Sequence, residues 1–476
     1  MKSFKLIALT IAVSSTLVAC GGGGGGSDAV TPTPVSTALP SSASLANLCA
    51  APRANTADRQ GSNDNEKAYL RSFVDETYLW YKDVPASLIA ANYSTPQKYF
   101  DALKTPAKTA SGKDVDQFHW SQSTESWNQA SSGIAQDYGI QWATQASTPP
   151  RNWIVAEIAP GSPAALAGVK RGDKLTSVDG VDFAAGDPVA LNNGLFPSSV
   201  SAHTFGFNGA AAVSLTPALI TTVTVQNVKT IPTATGTVGY FTFDTHIAKS
   251  ESELIAAINQ LKAANVTDLV LDLRYNGGGL LYIASELAYM IAGPDSTKGK
   301  IFERLTYNDK LTAQNQTYPF YSTGTTQILP YLGLKKVTIL TTHGTASASE
   351  SIINSLRGVD VTVNLIGDTT RGKPYGFVPQ DNCGTTYFSI QFKGVNDKQF
   401  GDYADGFDVT CKAADDFSHL RGDPSETMLA TALAYRTSGS CPVSATARAS
   451  GGNTELPYTL VRPATQEMRI LKAMPR

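Results

Sequence analysis

Two residues in this sequence have the types and setting for acyl transfer without histidine: Ser347, in Gly344-Thr345-Ala346-Ser347-Ala348-Ser349-Glu350, and Lys373, in Arg371-Gly372-Lys373-Pro374. An apolar run from Val337 to Thr342 ends just before the serine, and Ile352, Ile353 and Leu356 repeat at helical spacing just after it. The serine is therefore expected at a strand-to-helix junction, where the free N–H groups of a first helical turn can stabilise an oxyanion. A serine there is also an ordinary helix cap, so its company decides the reading. The lysine falls in the next such junction, Gly367 to Lys373, after the apolar run Val361 to Ile366. A third loop, Asp272-Leu273-Arg274-Tyr275-Asn276-Gly277-Gly278-Gly279, follows Leu269-Val270-Leu271-Asp272, and its glycines allow close backbone approach to a substrate. Three strand-end loops would supply a nucleophile, a base and an oxyanion-binding backbone. To serve as base, Lys373 must be neutral, its pKa falling from about 10.4 toward about 7 or 8, which burial can do.

The elements that must position these loops alternate between β and α. Val238 to Phe243 reads as a strand, Ser250-x-x-Glu253 as a capping box opening a helix with Leu254, Ile255, Ile258 and Leu261 on one face, and Leu269 to Asp272 as a buried strand. That is a βαβ unit with a right-handed crossover. Upstream, residues 63–131 read as a small helical module: Tyr69, Leu70, Phe73 and Val74 keep helical spacing, and Ser94/Thr95 cap a second helix from Pro96 to Leu103. Between the two, residues 132–230 are expected to form a β-rich unit with strands at Tyr138 to Trp142 and Trp153 to Ile158, a short helix in Gly161 to Gly168, and then, from Arg171-Gly172-Asp173-Lys174-Leu175 to Val178-Asp179-Gly180, a tight turn, a strand and a hairpin turn. The expected division is 1–20 targeting segment, 21–62 tether, 63–131 helical module, 132–230 β-rich unit, 231–440 catalytic core and 441–476 extension.

The targeting segment consists of Lys2 and Lys5, an apolar run from Leu6 to Val18 too short to span a bilayer, and Leu17-Val18-Ala19-Cys20. It resembles a bacterial lipobox, which implies a lipid on Cys20, with Gly21 to Gly26 as the start of a flexible tether and an envelope location at the periplasmic face of the outer membrane. The remaining cysteines, Cys49, Cys383, Cys411 and Cys441, are even in number and suit disulfides in an oxidising compartment. Of the three pairings, Cys383–Cys411 with Cys49–Cys441 is the least crossed, and the sequence leaves the choice open. No CxxC or Cys/His ligand spacing points to zinc, and the chemistry calls for no metal or other cofactor. A net charge of -2 from 38 basic and 40 acidic residues gives no polycationic face for nucleic acid.

The β-rich unit resembles a PDZ domain of the bacterial protease type, through Gly-Ser-Pro-Ala, Ala-Gly-Val, Gly-Asp-Lys-Leu and Val-Asp-Gly in order. The resemblance implies peptide capture as an added strand, with backbone N–H groups of Tyr138, Gly139 and Ile140 at the carboxylate loop, or alternatively a scaffold with a closed groove. With that unit embedded, the motifs Asp-Leu-Arg-x-Asn-Gly-Gly-Gly, Thr-Ala-Ser-Ala-Ser-Glu and Gly-Lys after a strand resemble the carboxyl-terminal processing (tail-specific) serine peptidases over about Ser132 to Arg436. That family implies a multidomain α/β fold: a helical N-terminal module, a PDZ-like β-rich domain and a βα-alternating protease core of the ClpP/crotonase-like type.

By position the resemblance makes Ser347 the nucleophile, Lys373 the general base, and Gly279 and Ala348 the oxyanion donors; it implies polypeptide substrates, bound through their C-terminal tails. One position departs from the pattern. Four residues after the lysine, many members carry a glutamine that orients the base, and here Phe377 stands there, leaving a backbone carbonyl or Gln380 to hold Lys373. Two other readings follow: a peptide-binding envelope lipoprotein of this fold without catalysis, and a hydrolase in which His246 or His343 assists the serine. His119, His203 and His419 read as surface or satisfied core residues.

Overall fold

The computed structural model describes residues 39–196, 199–442, 458–461 and 468–470. The expected signal segment, Cys20 and the first part of the tether lie outside the described residues.

The N-terminal module is built on helices α1 (Asn63–Thr77) and α2 (Pro96–Ala102). Ser62 and Thr95 cap them, each accepting a backbone N–H three residues on, and Pro96 occupies the first turn where its missing donor costs nothing. Tyr69, Leu70, Phe73 and Val74 pack with Phe100, Phe118 and Trp120, as the helical spacing predicts, and the same core takes in Phe377, Tyr387 and Phe388 from the far end of the chain. Residues 40–62 depart from the tether expected there: they carry a short helix, Ser42–Leu45, and a parallel bridge between Leu48–Cys49 and Arg59–Gln60. Long-range bonds explain the order, since Ser42 Oγ donates to Glu76 at 2.5 Å, Asn47 N–H donates to Asn382 at 2.8 Å and Cys49 is covalently tied to Cys383.

In the PDZ-like unit, β1 (Ile140–Ala146) pairs antiparallel with β2 (Asn152–Ile158). The core is aromatic: Tyr138, Trp142, Trp153, Phe183, Phe205 and Phe207. The following unit holds β3 (Val225–Thr233), β4 (Gly236–Phe243), α3 (Ser250–Ala263), β5 (Asp268–Asp272), the short β6 (Gly278–Leu280), α4 (Leu281–Ala292), β7 (Lys336–Thr341), α5 (Ala348–Gly358), β8 (Thr362–Gly367), β9 (Tyr375–Gly376), β10 (Cys411–Lys412) and α6 (Thr427–Ser438). Six strands form the main sheet in the order β3-β4-β5-β7-β8-β10, parallel from β4 onward. Helices cover both faces, so β5 is buried at every position and its middle, Leu269–Leu271, reads as an apolar run between two aspartates. Burying each of Leu269, Val270 and Leu271 contributes about 1.5–3 kcal/mol before entropy is counted. Two further strands from the end of the chain, β11 (Thr459–Leu460) and β12 (Met468–Ile470), add to β1 and β6 respectively.

The expected capping box at Ser250 does not form: Lys249 is the cap, and Ser250 donates to the carbonyl of Thr245. Glu253 instead accepts the backbone N–H groups of Thr224 and Val225, anchoring the strand that enters from the PDZ-like unit. That unit is also clamped to the core by buried arginines. Arg171 reaches Asp415 at 2.7 Å, and Arg421 bridges Glu157 of β2 and Asp244 after β4.

The disulfides are Cys49–Cys383 and Cys411–Cys441, which corrects the least-crossed pairing. Sequence order misleads here because the hairpin around Asn382–Gly384 folds back onto the N-terminal module. Cys411 opens the edge strand β10, and α6 packs on β7 and β8, which returns Cys441 to its side.

Candidate active site

Ser347 sits where β7 gives way to α5, in a backbone conformation of φ 61°, ψ -115°. This is a non-glycine residue outside the ordinary left-handed basin, and such strain costs on the order of 1–3 kcal/mol. A serine held on a tight strand-to-helix turn is the geometry of a nucleophile elbow, which pushes the hydroxyl clear of its own helix. The Oγ is buried and, among the described residues, takes no hydrogen bond, so it does not act as a cap. Its helix is capped from the other direction: the Glu350 carboxylate accepts the Ser347 N–H at 2.8 Å.

The same carboxylate reaches the lysine loop. Oε2 also accepts the Lys373 N–H at 2.8 Å, while Oε1 accepts the Gly372 N–H at 2.7 Å and the Thr370 hydroxyl at 2.6 Å. Burial pushes the Glu350 carboxyl above its ordinary range and these donors pull it back. One buried anion thus fixes both junctions relative to each other. Replacing Glu350 with glutamine leaves only one acceptor for four donors and sets an NH2 group against the rest. The expected result is a stability loss on the order of 2–5 kcal/mol, read by urea unfolding, together with a fall in any Ser347-dependent turnover.

The glycine-rich loop closes the third side. Ala346 N–H and Ser349 Oγ both donate to the carbonyl of Asn276, and Thr345 Oγ1 donates to that of Leu273. Beneath it, Arg274 is fully buried between Asp272, Asp415 and Glu426, a set of ion pairs that keeps the loop's shape. Gly279 has φ 140°, and a Cβ there would lie 2.3 Å from the His246 carbonyl, so only glycine fits. Ala348, the other expected oxyanion donor, is the first residue of α5 and is buried.

Lys373 is fully buried, with Nζ 4.6 Å from the centre of the Phe118 ring and 4.8 Å from that of Phe377. Phe377 is thus a wall of the lysine's slot. Gln380, the alternative weighed for orienting the base, donates to the carbonyl of Asp381 instead. Of the histidines, His343 pairs with Arg371 at 2.8 Å, and His203 and His419 pair with Asp179 and Asp416. His119 is buried beside Asp116 and the rings of Tyr78 and Phe100. His246 is different. Asn276 donates to the Phe243 carbonyl, so its Oδ1 must accept from His246 Nδ1 at 3.0 Å, which leaves Nε2 as a buried acceptor with no partner among the described residues. Burial pushes its pKa down to about 3.

The three positions expected to bind peptide lie at the entry to β1. Tyr138 is buried with its hydroxyl on the Gly194 carbonyl at 2.9 Å, Gly139 has φ 85°, and Ile140 opens the strand. The Gly139 N–H already donates to Asp137 at 2.6 Å. Among the described residues, no group of three or more His, Cys, Asp or Glu side chains is arranged to hold a metal ion.

Comparison with known families gives three matches in chain order: the peptidase S41 N-terminal domain over residues 65–121, a PDZ domain over 154–189 and peptidase family S41 over 237–380. The core segment thus matches peptidase family S41, with the family's N-terminal domain and a PDZ domain matched ahead of it. Two carboxyl-terminal-processing proteases are similar to it, from Picosynechococcus sp. (28% identity over 228 residues, 45% of this chain and 49% of that one) and Synechocystis sp. (28% over 225 residues, 46% and 49%). The chain spans about half the length of these curated relatives. A crystal structure from Bacteroides fragilis NCTC 9343, assigned there to the S41 proteases, matches with a TM-score of 0.63 at 24% identity, covering 78% of this chain and 97% of that one; at that identity the likeness shows the fold alone. The segment matched by the N-terminal domain does more than precede the core, because Phe118, inside that range, supplies one wall of the Lys373 slot. Sequence reading missed that contact, and it missed the part played by Glu350, although the glutamate is in the motif that marks the serine.

Proposed function

We propose that this protein is a serine endopeptidase that cleaves unfolded or C-terminal polypeptide segments through an acyl-enzyme on Ser347. Lys373 takes the hydroxyl proton as Ser347 Oγ attacks the scissile carbonyl, and the N–H groups of Gly279 and Ala348 receive the oxyanion. The proton then passes to the leaving amine, and water hydrolyses the ester. The observation that carries this reading is the elbow conformation of Ser347, with an unbonded buried hydroxyl, tied through one carboxylate to the lysine loop. The family match and the two similar processing proteases support it. The PDZ domain presents polypeptide to the core, and the lipobox-like Leu17-Val18-Ala19-Cys20 supports an enzyme anchored by lipid in the envelope, at the periplasmic face of the outer membrane.

A second reading, a serine hydrolase assisted by histidine, is favoured by the bare Nε2 of His246 next to Gly279. Its low pKa makes it a weak proton acceptor. The test of the main reading is incubation of the purified protein with an unstructured polypeptide beside Ser347→Ala. Cleavage by the wild type alone is the expected result, and equal, negligible cleavage by both sinks it in favour of a peptide-binding protein without catalysis.

A further inference from the structure

Two pieces near the end of the chain, residues 458–461 and 468–470, add strands to the edges of β1 and β6. β11 adds antiparallel to β1, with Thr459 opposite Thr144 and Leu460 opposite Ala143. Val461 N–H donates to the Trp142 carbonyl at 2.9 Å, and its side chain packs against the PDZ core. An added antiparallel strand is the way a PDZ domain takes a ligand. The loop that would receive a terminal carboxylate has its Gly139 N–H engaged by Asp137, so this groove suits a chain that passes through it.

Further along, β12 pairs in parallel with β6, Met468 opposite Gly278, Arg469 opposite Gly279 and Ile470 opposite Leu280. It also lies against β9, just after Lys373, and against α5, the helix that Ser347 opens. On its other edge β6 spends the Gly278 carbonyl and the Leu280 N–H on His246. Strand alternation therefore turns the Gly279 N–H, the expected oxyanion donor, toward β12. Ser347 and Lys373 are both fully buried, so a cleft that must admit a chain from solvent is closed around them.

We propose that residues 458–461 and 468–470 belong to the protein's own first substrate: the PDZ edge holds 459–461, β6 holds 468–470 as the substrate strand, and Ser347 cuts a peptide bond within Met468–Ile470. The inference rests on the serine-peptidase reading. Ser347 Oγ bonds to the carbonyl carbon and its proton moves to Lys373 Nζ. The C–N bond breaks, the leaving amine takes that proton, and water hydrolyses the ester to free a new carboxylate and restore the serine.

The experiment follows the intact mass of the purified full chain over time at several protein concentrations, with an unstructured polypeptide as parallel substrate. The expected result is conversion to a product ending within residues 468–470, at a first-order rate unchanged by tenfold dilution and absent in Ser347→Ala. Ile470→Pro, which removes a backbone donor from the added strand without touching the folded core, is expected to slow this conversion ~tenfold while leaving polypeptide cleavage intact. Cleavage of the polypeptide with the 458–470 segment left whole overturns the inference and spares the peptidase reading. So does a conversion rate that falls with dilution, which assigns the cut to a second copy. Cleavage of neither overturns both.

Discussion

Replacing Ser347 with glycine is expected to abolish cleavage and at the same time to make the protein more stable. The loss of activity follows from the nucleophile's absence and should be about 10⁴- to 10⁶-fold in kcat/KM. The gain follows from the backbone: at φ 61° and ψ -115° a side chain is strained by on the order of 1–3 kcal/mol, and glycine has no Cβ to strain. Glycine's greater freedom in the unfolded chain takes back about 0.5–1 kcal/mol, so the net expectation is stabilisation of about 1 kcal/mol in urea unfolding. Ser347→Ala separates the two effects, because alanine loses the hydroxyl and keeps the Cβ. It should be as inactive as the glycine variant and no more stable than the parent. A glycine variant less stable than the alanine one refutes the elbow as a strained, function-bearing turn.

The strand-end loops were legible in the sequence because buried parallel strands and amphipathic helices leave distinct periodicities, and the loops between them are short. Ser347 and Lys373 therefore landed on consecutive junctions, and the structure adds that Glu350 joins them. What stayed hidden depends on contacts between distant parts of the chain. Phe118 reads as an ordinary core aromatic until the fold lays it against Lys373, and Phe377 reads as a missing glutamine until its ring is seen beside the same Nζ. Residues 40–62 have a tether's composition, and a disulfide to Cys383 overrides it. Thr459–Leu460 and Met468–Ile470 are too short to show a period of their own, and the edges they join make them strands. The Ser250 motif failed for a related reason: the local capping bond lost to a tertiary one, in which Glu253 holds the incoming strand.

The choice of base should show in the pH dependence of kcat/KM for an unstructured polypeptide. His246, with a pKa near 3, is neutral at every pH above about 4, so a histidine-based mechanism predicts a plateau from there upward. A lysine base must first lose its proton, which predicts a rate that is negligible in acid and climbs as the pH rises toward the alkaline side. Lys373→Met keeps the length and fills the slot between Phe118 and Phe377 with an apolar chain, so the fold should persist while kcat/KM falls about 10²- to 10⁴-fold and the rising limb vanishes. His246→Gln should retain the limb, since the imidazole's part is to bond Asn276, while the backbone of His246, which the substitution keeps, holds Gly278 and Leu280. The opposite pattern, a flat profile above pH 4 that His246→Gln destroys and Lys373→Met leaves standing, assigns proton transfer to the imidazole. In that case the two rings around Lys373 are there to keep a structural cation in place, and Ser347 takes its base from the loop after β4.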